Sequence, residues 1–372
     1  MPFDARTARL VTVETRPRPY PVLIAPAALE QLGIELRKAA RADRVAVLTD
    51  ENVGPLYAGQ AVGALAGAGF EPAVITVPAG EASKSLETLA RVYDALADAR
   101  IDRTSTLVAL GGGVIGDLGG YAAASWLRGI AFVQCPTSLE ADVDASVGGK
   151  TAVNHPAGKN LIGAFHQPLF VLIDTLTLAT LGERDFRAAL AESIKHAVIA
   201  DAAFFDWHER HAAAILAREP EMLGPLIERN VGIKAAVVAR DERETTGERA
   251  LLNFGHTVGH AIESAIARYA EPWRHGECVA VGMVAAAELS VAAGRLERPS
   301  ADRIVALLER FGLPTRAPLA GRRDELMALI AADKKVAAGR LRFVLADAIG
   351  RAALYADVNP AWIDAALDRC LV

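Results

Sequence analysis

The stretch Thr106-Leu-Val-Ala-Leu-Gly-Gly-Gly-Val-Ile-Gly-Asp117 decides the fold class. Its first five residues have the make-up of a short buried strand, the three glycines make a turn, and Val114-Ile115 open a helix. Glycine permits positive φ and lets an anion approach the backbone closely. The unpaired N–H groups of the helix start suit a pyrophosphate. A tight strand-to-helix turn with no ligand would use the same residues. The standard dinucleotide fingerprint falls at the first βα turn, with an acidic residue about 20 positions on. This run departs from that pattern, so it suggests a dinucleotide without proving one.

Outward from this run the pattern repeats. Val45 to Thr49, Ala73 to Val77 and Ile130 to Val133 read as strands, and Leu56 to Gly69 and Leu86 to Arg100 as helices. Strands alternating with helices predict a mostly parallel sheet covered on both faces. Beyond about Asp174 the texture turns helical: Phe186 to Ile199, Ala202 to Ala217, Pro225 to Val238, His256 to Ala267, Val279 to Ala292 and Ala301 to Phe311. Arg340 to Leu345 reads as a short strand with a neighbour to pair with. The expected architecture is an α/β nucleotide-binding domain over residues 1–175 and a mainly helical metal- and substrate-binding domain over 176–372.

Composition excludes several classes. With 372 residues, 52% of them hydrophobic and 23% charged, the chain has enough apolar surface for two cores and is not disordered. A formal charge of -5, from 40 basic and 45 acidic residues, gives no general attraction for nucleic acid or anionic lipid. Cys135, Cys278 and Cys370 have no paired spacing, which fits a reducing compartment and neither a disulfide scaffold nor a thiolate zinc site. Met1 to Leu10 has no apolar signal region, and no apolar run reaches the roughly 18 residues of a membrane helix. The expectation is a cytoplasmic protein that engages neither membrane nor nucleic acid.

Three segments carry chemistry. Asp144-Ala-Ser-Val-Gly-Gly-Lys-Thr-Ala-Val-Asn-His-Pro-Ala-Gly-Lys-Asn160 is too glycine-rich for a helix and too polar for core. As a folded loop it would aim Lys150 and Lys159 at one anion, with Asn160 as an amide donor and Asp144 orienting a lysine. Arg128 lies just upstream. Gly80-Glu81-Ala82-Ser83-Lys84 follows a strand and suits either nucleotide contacts or a solvated loop. His256 and His260 are four apart, on one face if helical. His275 and Glu192 are further donors, and two imidazoles with a carboxylate suit a catalytic zinc with an open position. Spacing alone pairs His256 with His260; helix caps or hydrogen-bonded core histidines are the plain alternative.

These stretches together resemble 3-dehydroquinate synthases over roughly residues 45 to 350. The resemblance rests on Gly-Gly-Gly-Val-Ile-Gly-Asp (111–117), the 144–160 segment, Ala-Glu-Ser-Ile-Lys (191–195) and Asp-Glu-Arg-Glu (241–244). It rests further on Leu-Asn-Phe-Gly-His-Thr-Val-Gly-His (252–260), His-Gly-Glu (275–277) and Asp-Lys-Lys (333–335). It implies Glu192, His256 and His275 as ligands of Zn2+ (Co2+ is possible), with His260 as an acid–base or supporting histidine. It places Lys150, Lys159, Asn160, Lys195, Lys234, Arg249, Arg128 and Asp144 about the substrate, with Lys334 favoured over Lys335 as a further lysine. It puts NAD against Asp50, Glu81, Lys84, Gly113, Val114, Ile115, Gly116, Asp117, Thr137, Ser138, Thr177 and Thr180, and lets Lys150 and Lys159 serve it too.

The implied reaction converts 3-deoxy-D-arabino-heptulosonate 7-phosphate, a phosphorylated heptulosonate, to 3-dehydroquinate and phosphate, and the implied assembly is a homodimer. Other sugar-phosphate cyclases, making valiolone-type or amino-dehydroquinate products, are the enzymatic alternatives. A catalytically inactive binding or scaffold homologue is the non-enzymatic one. The chain departs from the family at Asp142, more often Gln, and at His196-Ala197, more often Tyr-Gly. Thr245 to Arg249 also looks one residue longer than usual.

Overall fold

The strand after which the glycine turn falls lies deep in a sheet, buried at every position from Thr106 to Gly111. The computed structural model describes residues 3–40, 42–269, 271–332, 342–356 and 358–372. Contacts divide these into two compact units. The first is Met1–Leu181 with Leu223–Ala239, and the second is Gly182–Met222 with Arg240–Val372. The sequence placed one cut at 175/176. The observed division instead returns most of one later helix to the first unit.

The first unit contains β1 (Arg9–Val13), β2 (Tyr20–Ala25), α1 (Leu32–Ala39), β3 (Arg44–Asp50), α2 (Gly59–Gly67) and β4 (Glu71–Val77). It continues with α3 (Leu86–Asp98), β5 (Thr106–Gly111), α4 (Gly113–Ser125), β6 (Ala131–Pro136), β7 (Lys150–His155), β8 (Gly158–Phe165) and β9 (Val171–Asp174). Seven strands form one sheet in the order β1-β2-β9-β6-β5-β3-β4. Only the β1–β2 pair is antiparallel.

Successive residues of the central strands bury to opposite faces, as a pleated strand requires. Val45, Val47, Val108 and Leu110 pack with Leu32 and Leu36 of α1 and Leu65 of α2. Ala46, Leu48, Leu107 and Ala109 pack with Leu89 and Val92 of α3 and Leu118 of α4. Both faces are therefore covered, which is why these strands read as unbroken apolar runs.

The order β4-β3-β5-β6-β9 has a reversal between β3 and β5, because the chain leaves β3 for one neighbour and returns on its other side. Ligands of open α/β sheets bind at such a switch point, outside the carboxyl ends of the strands. The glycine turn ends β5 and so stands at this point. It follows the fourth parallel strand in chain order, after β2, β3 and β4, which accounts for its departure from the standard fingerprint.

The expected loop 144–160 is largely a β-hairpin. β7 and β8 pair antiparallel from Lys150↔Phe165 to His155↔Gly158. Glycine and proline made the segment read as a loop, but β7 packs against α4, where a Cβ on Gly120 would lie 2.3 Å from the Thr151 methyl. Tertiary packing here overrides local propensity.

The second unit holds α5 (Glu183–Ala200), α6 (Ala202–Leu216), α8 (His256–Tyr269), α9 (His275–Ala292), α10 (Arg298–Arg310), α11 (Arg323–Ala332) and α12 (Pro360–Cys370). It also holds the hairpin of β10 (Arg342–Ala348) and β11 (Arg351–Ala356). Between α6 and α8, α7 (Pro220–Arg240) gives its residues Leu223–Ala239 to the first unit. The sequence suggested no segment long and apolar enough to span a membrane. α9 does reach that threshold, with 18 residues and a mean hydropathy of 1.2, but 72% of it is buried. It is the core helix of its unit.

Candidate functional site: a metal centre and a nucleotide-binding edge

The candidate metal donors converge because three helices approach closely. Gly276, in the first turn of α9, sits where an added Cβ would lie 1.9 Å from the Ala188 carbonyl oxygen of α5. At Gly282 the same atom would fall 2.0 Å from the Gly255 oxygen, just ahead of α8. Arg184 of α5 fixes the join, donating from Nε and Nη2 to the two carboxylate oxygens of Glu277 at 2.7 and 2.9 Å. Glu277 also accepts from the Arg274 backbone N–H at 2.7 Å, which caps the start of α9. His275 is thereby held at a helix start beside the helix that carries Glu192.

Glu192 is 1% exposed. One carboxylate oxygen, Oε2, pairs with the buried Lys195 ammonium one turn on. The other, Oε1, is buried and accepts no hydrogen bond among the described residues. Its neighbours are His256 Nε2 at 3.5 Å and His275 Nε2 at 3.7 Å. Donors bound tetrahedrally about 2.1 Å from zinc stand about 3.4 Å apart. An orphaned carboxylate oxygen and two imidazole nitrogens at this spacing fit a shared divalent cation.

His260 shares the cluster. A ring nitrogen from each of His256, His260 and His275 lies within 4.8 Å of the others. The His260 ring centroid is 5.3 Å from that of His256 and 5.7 Å from that of His275. The spacing-based pair and the resemblance-based triad therefore occupy one place. Glu263 went unnoticed in the sequence: its Oε2 accepts from His275 Nδ1 at 3.1 Å. The signal was present, since 256, 260 and 263 follow the i, i+4, i+7 stripe of one helix face.

Arg249 is also in the second unit and is 2% exposed. Its loop wraps around Asp241, whose carboxylate accepts from the backbone N–H groups of Thr245, Thr246, Gly247 and Arg249 at 2.7 to 3.2 Å. Burial pushes the Asp241 carboxyl up, but these donors outweigh it and hold it at about 2. Arg249 Nη1 donates to the Glu242 carbonyl at 2.7 Å. The apparently longer loop is thus closed on a single carboxylate.

In the first unit, the residues expected to contact a dinucleotide fall at one edge of the sheet. Asp50 ends β3 and accepts from the N–H groups of Asn52 and Val53, both at 2.9 Å. Glu81 and Lys84 follow β4. Gly113 to Asp117 form the first turn of α4 after β5. Thr137 and Ser138 follow β6, and Thr137 donates its N–H to the Gly111 carbonyl at 3.0 Å. Thr177 and Thr180 follow β9, where Tyr57 Oη meets Thr180 Oγ1 at 2.6 Å. Lys84 is buried and ion-paired with Asp117. Burial raises the Asp117 carboxyl, against the pull of Lys84. Gly116 also has a packing reason, since a Cβ there would meet Gln134 Oε1 at 2.6 Å.

The hairpin separates two residues that the sequence had aimed at one anion. Lys150 starts β7, while Lys159 lies at the tip, about five residues and therefore ~16 Å along the strand. The tip joins the β4 loop: Asn154 Nδ2 donates to Glu81 Oε1 at 2.7 Å, and the Asn160 N–H donates to Asn154 Oδ1 at 2.9 Å. Lys234, on α7, contacts Asp144 Oδ1 at 2.8 Å. Arg128 is exposed on the turn before β6, at the opposite end of the sheet from the dinucleotide residues. Lys334 and Lys335 lie outside the described residues.

Comparison with known proteins places this two-unit architecture in the sugar-phosphate cyclase superfamily. The solved structures this chain is similar to include ValA, a 2-epi-5-epi-valiolone synthase from Streptomyces hygroscopicus subsp. jinggangensis with NAD+ and Zn2+ bound. It is 31% identical, with a TM-score of 0.86, over 95% of this chain and 97% of that one. A 2-deoxy-scyllo-inosose synthase complexed with carbaglucose-6-phosphate, NAD+ and Co2+ is 25% identical, with a TM-score of 0.87, over 96% and 99%. Residues 74–188 match the family 3-dehydroquinate synthase N-terminal, and residues 189–336 match 3-dehydroquinate synthase C-terminal. The 3-dehydroquinate synthase of Halorhodospira halophila is 49% identical over 352 residues, 94% of this chain and 96% of that one. The chain belongs to the 3-dehydroquinate synthase family.

Proposed function

We propose that this protein converts 3-deoxy-D-arabino-heptulosonate 7-phosphate to 3-dehydroquinate and phosphate, using NAD and one divalent cation, Zn2+ or Co2+. The observation that carries this reading is the orphaned Glu192 Oε1 with His256 and His275 Nε2 at 3.5 and 3.7 Å. We assign nucleotide binding to the first unit and metal and substrate binding chiefly to the second. When bound, NAD supplies the transient oxidation and re-reduction that bracket phosphate elimination before aldol ring closure, and the cation supplies Lewis acidity toward substrate hydroxyls.

The chain's own residues supply orientation and charge. Glu192, His256 and His275 hold the cation with a position left open. Lys195 neutralises the Glu192 oxygen turned away from the imidazoles and stands ready to bind a substrate hydroxyl. Arg249 and His260, both in the second unit, take the departing phosphate; fixed positive charge there stabilises the leaving group as it builds charge. Lys234, steadied by Asp144, takes the carboxylate. Lys159, at the hairpin tip beside Glu81, serves the dinucleotide edge. A homodimer would let Arg128 of one copy serve the substrate of another.

The test is to incubate the protein with NAD, Zn2+ and the heptulosonate phosphate, and in parallel with heptulose 7-phosphate. Stoichiometric phosphate, 3-dehydroquinate by NMR and no net NADH are expected from the first substrate. A carbocycle formed only from the heptulose phosphate would move the reading to a valiolone-type cyclase, and accumulating NADH would move it to a dehydrogenase.

A further inference from the structure

We infer that Glu263 is a positioning residue that selects the metal-binding tautomer of His275 and sets the protein's affinity for its cation. This rests on the metal reading proposed above and goes beyond it to a residue outside the ligand set. A neutral imidazole can offer only one nitrogen lone pair, and the partner of the other nitrogen decides which. At His275 that partner is a carboxylate: Glu263 Oε2 lies 3.1 Å from Nδ1. An ionised carboxylate accepts and cannot donate, so the proton sits on Nδ1 and the lone pair on Nε2. Nε2 is the atom 3.7 Å from Glu192 Oε1.

His256 is arranged the same way with a different acceptor. Its Nδ1 lies 3.3 Å from the Phe254 carbonyl oxygen, and its Nε2 lies 3.5 Å from the same Glu192 oxygen. A carbonyl likewise only accepts, so both imidazoles present Nε2 to one carboxylate oxygen. The difference between them is charge. The carbonyl orients His256, whereas the Glu263 carboxylate both orients His275 and makes its Nε2 a stronger donor. Glu263 also ties α8 to the first residue of α9, and its side chain is only 18% exposed, so water screens the pair little.

The test compares Glu263→Ala and Glu263→Gln with the parent and with His275→Ala. Zn2+ affinity is measured by competition with a chromophoric chelator, and Co2+ loading by visible absorption. The melting temperature of each metal-free protein serves as the control for folding. Glu263→Ala should weaken Zn2+ binding about 10- to 100-fold and alter the Co2+ bands, with the metal-free melting temperature close to the parent's. Glu263→Gln, whose amide oxygen can still accept from Nδ1, should recover part of that loss. Parent-like Zn2+ affinity in both variants, while His275→Ala loses the metal, would overturn the role of Glu263 and leave the ligand set standing. If the parent itself failed to bind Zn2+, the ligand set would fall and this inference with it. If the alanine variant misfolds, the glutamine variant decides: parent-like affinity and Co2+ bands would count against the inference, and a partial loss would support it.

Discussion

A carboxylate sealed from water without a hydrogen-bond donor is driven to its neutral form, because desolvation opposes the charge. Asp142 is in that position. It is fully buried, and neither carboxylate oxygen has a partner among the described residues. Burial first, and the charge of Asp174 second, push its carboxyl well above the ordinary value of 3.8. The unfolded chain loses this proton more readily than the folded one. Stability tied to Asp142 is therefore fully present below about pH 4 and declines as pH rises toward the raised folded value. Asp142→Asn removes the titration. Chemical denaturation should find it more stable than the parent at pH 7.5, where the parent's buried carboxyl bears the cost of its raised pKa. The gap should close as pH falls toward 4, and a gap of constant size would show that the carboxyl is not responsible.

Helices α5, α8 and α9 bring Glu192, His256 and His275 together because their backbones nearly touch. Gly276 is the tightest contact, and its neighbour is a carbonyl oxygen that no rotamer change can move. Gly276→Ala should cost about 1–3 kcal/mol by overpacking and weaken Zn2+ binding as the helices part. Gly232 of α7 has nothing within 4 Å of an added Cβ. There the same change should add roughly 0.5–1 kcal/mol, since alanine restricts the unfolded chain and favours helix. Denaturant titration of both variants checks the contrast; equal effects would mean that close approach is not what the glycine at 276 serves.

The legibility of the elements follows the same physics. β3 to β6 and the long helices announce themselves through residues buried on both faces of a sheet or along a helical stripe. β9 has only four residues, and the β7–β8 hairpin owes its form to packing against α4. Neither is a local property. The histidines were legible as donors, but spacing within α8 could pair only His256 with His260. Glu192 was legible as an acidic donor, but its grouping with His256 and His275 in particular depends on a helix some 60 residues away and entered through resemblance. Glu263 lay on the same α8 stripe and could have been read as a supporting acceptor.

At the scale of the whole molecule, the two units carry separate sets of candidate ligands, and each ligand should stabilise its own set. The proposed cation donors Glu192, His256 and His275 lie on α5, α8 and α9 of the second unit. The residues proposed for the dinucleotide lie on the turns after β3, β4, β5, β6 and β9 of the first. A ligand that binds only folded protein stabilises it by RT ln(1 + [L]/Kd), about 2.7 kcal/mol at a hundredfold excess over Kd. Amides that exchange through local opening near the bound ligand should gain the most protection. Hydrogen exchange with Zn2+ alone should therefore slow amides at the start of α8 and α9 and around Glu192. NAD alone should slow those of 50–54, 80–84, 111–117, 137–138 and 177–180. Residues 223–239 follow the second unit's first helices in sequence but pack with the first unit. In denaturant, their global exchange should track the first unit's strands and not α5 or α6. Zinc protection that appeared on the strand-end turns and left α8 and α9 unchanged would detach the cation from the imidazole cluster and so remove the basis of the proposed chemistry.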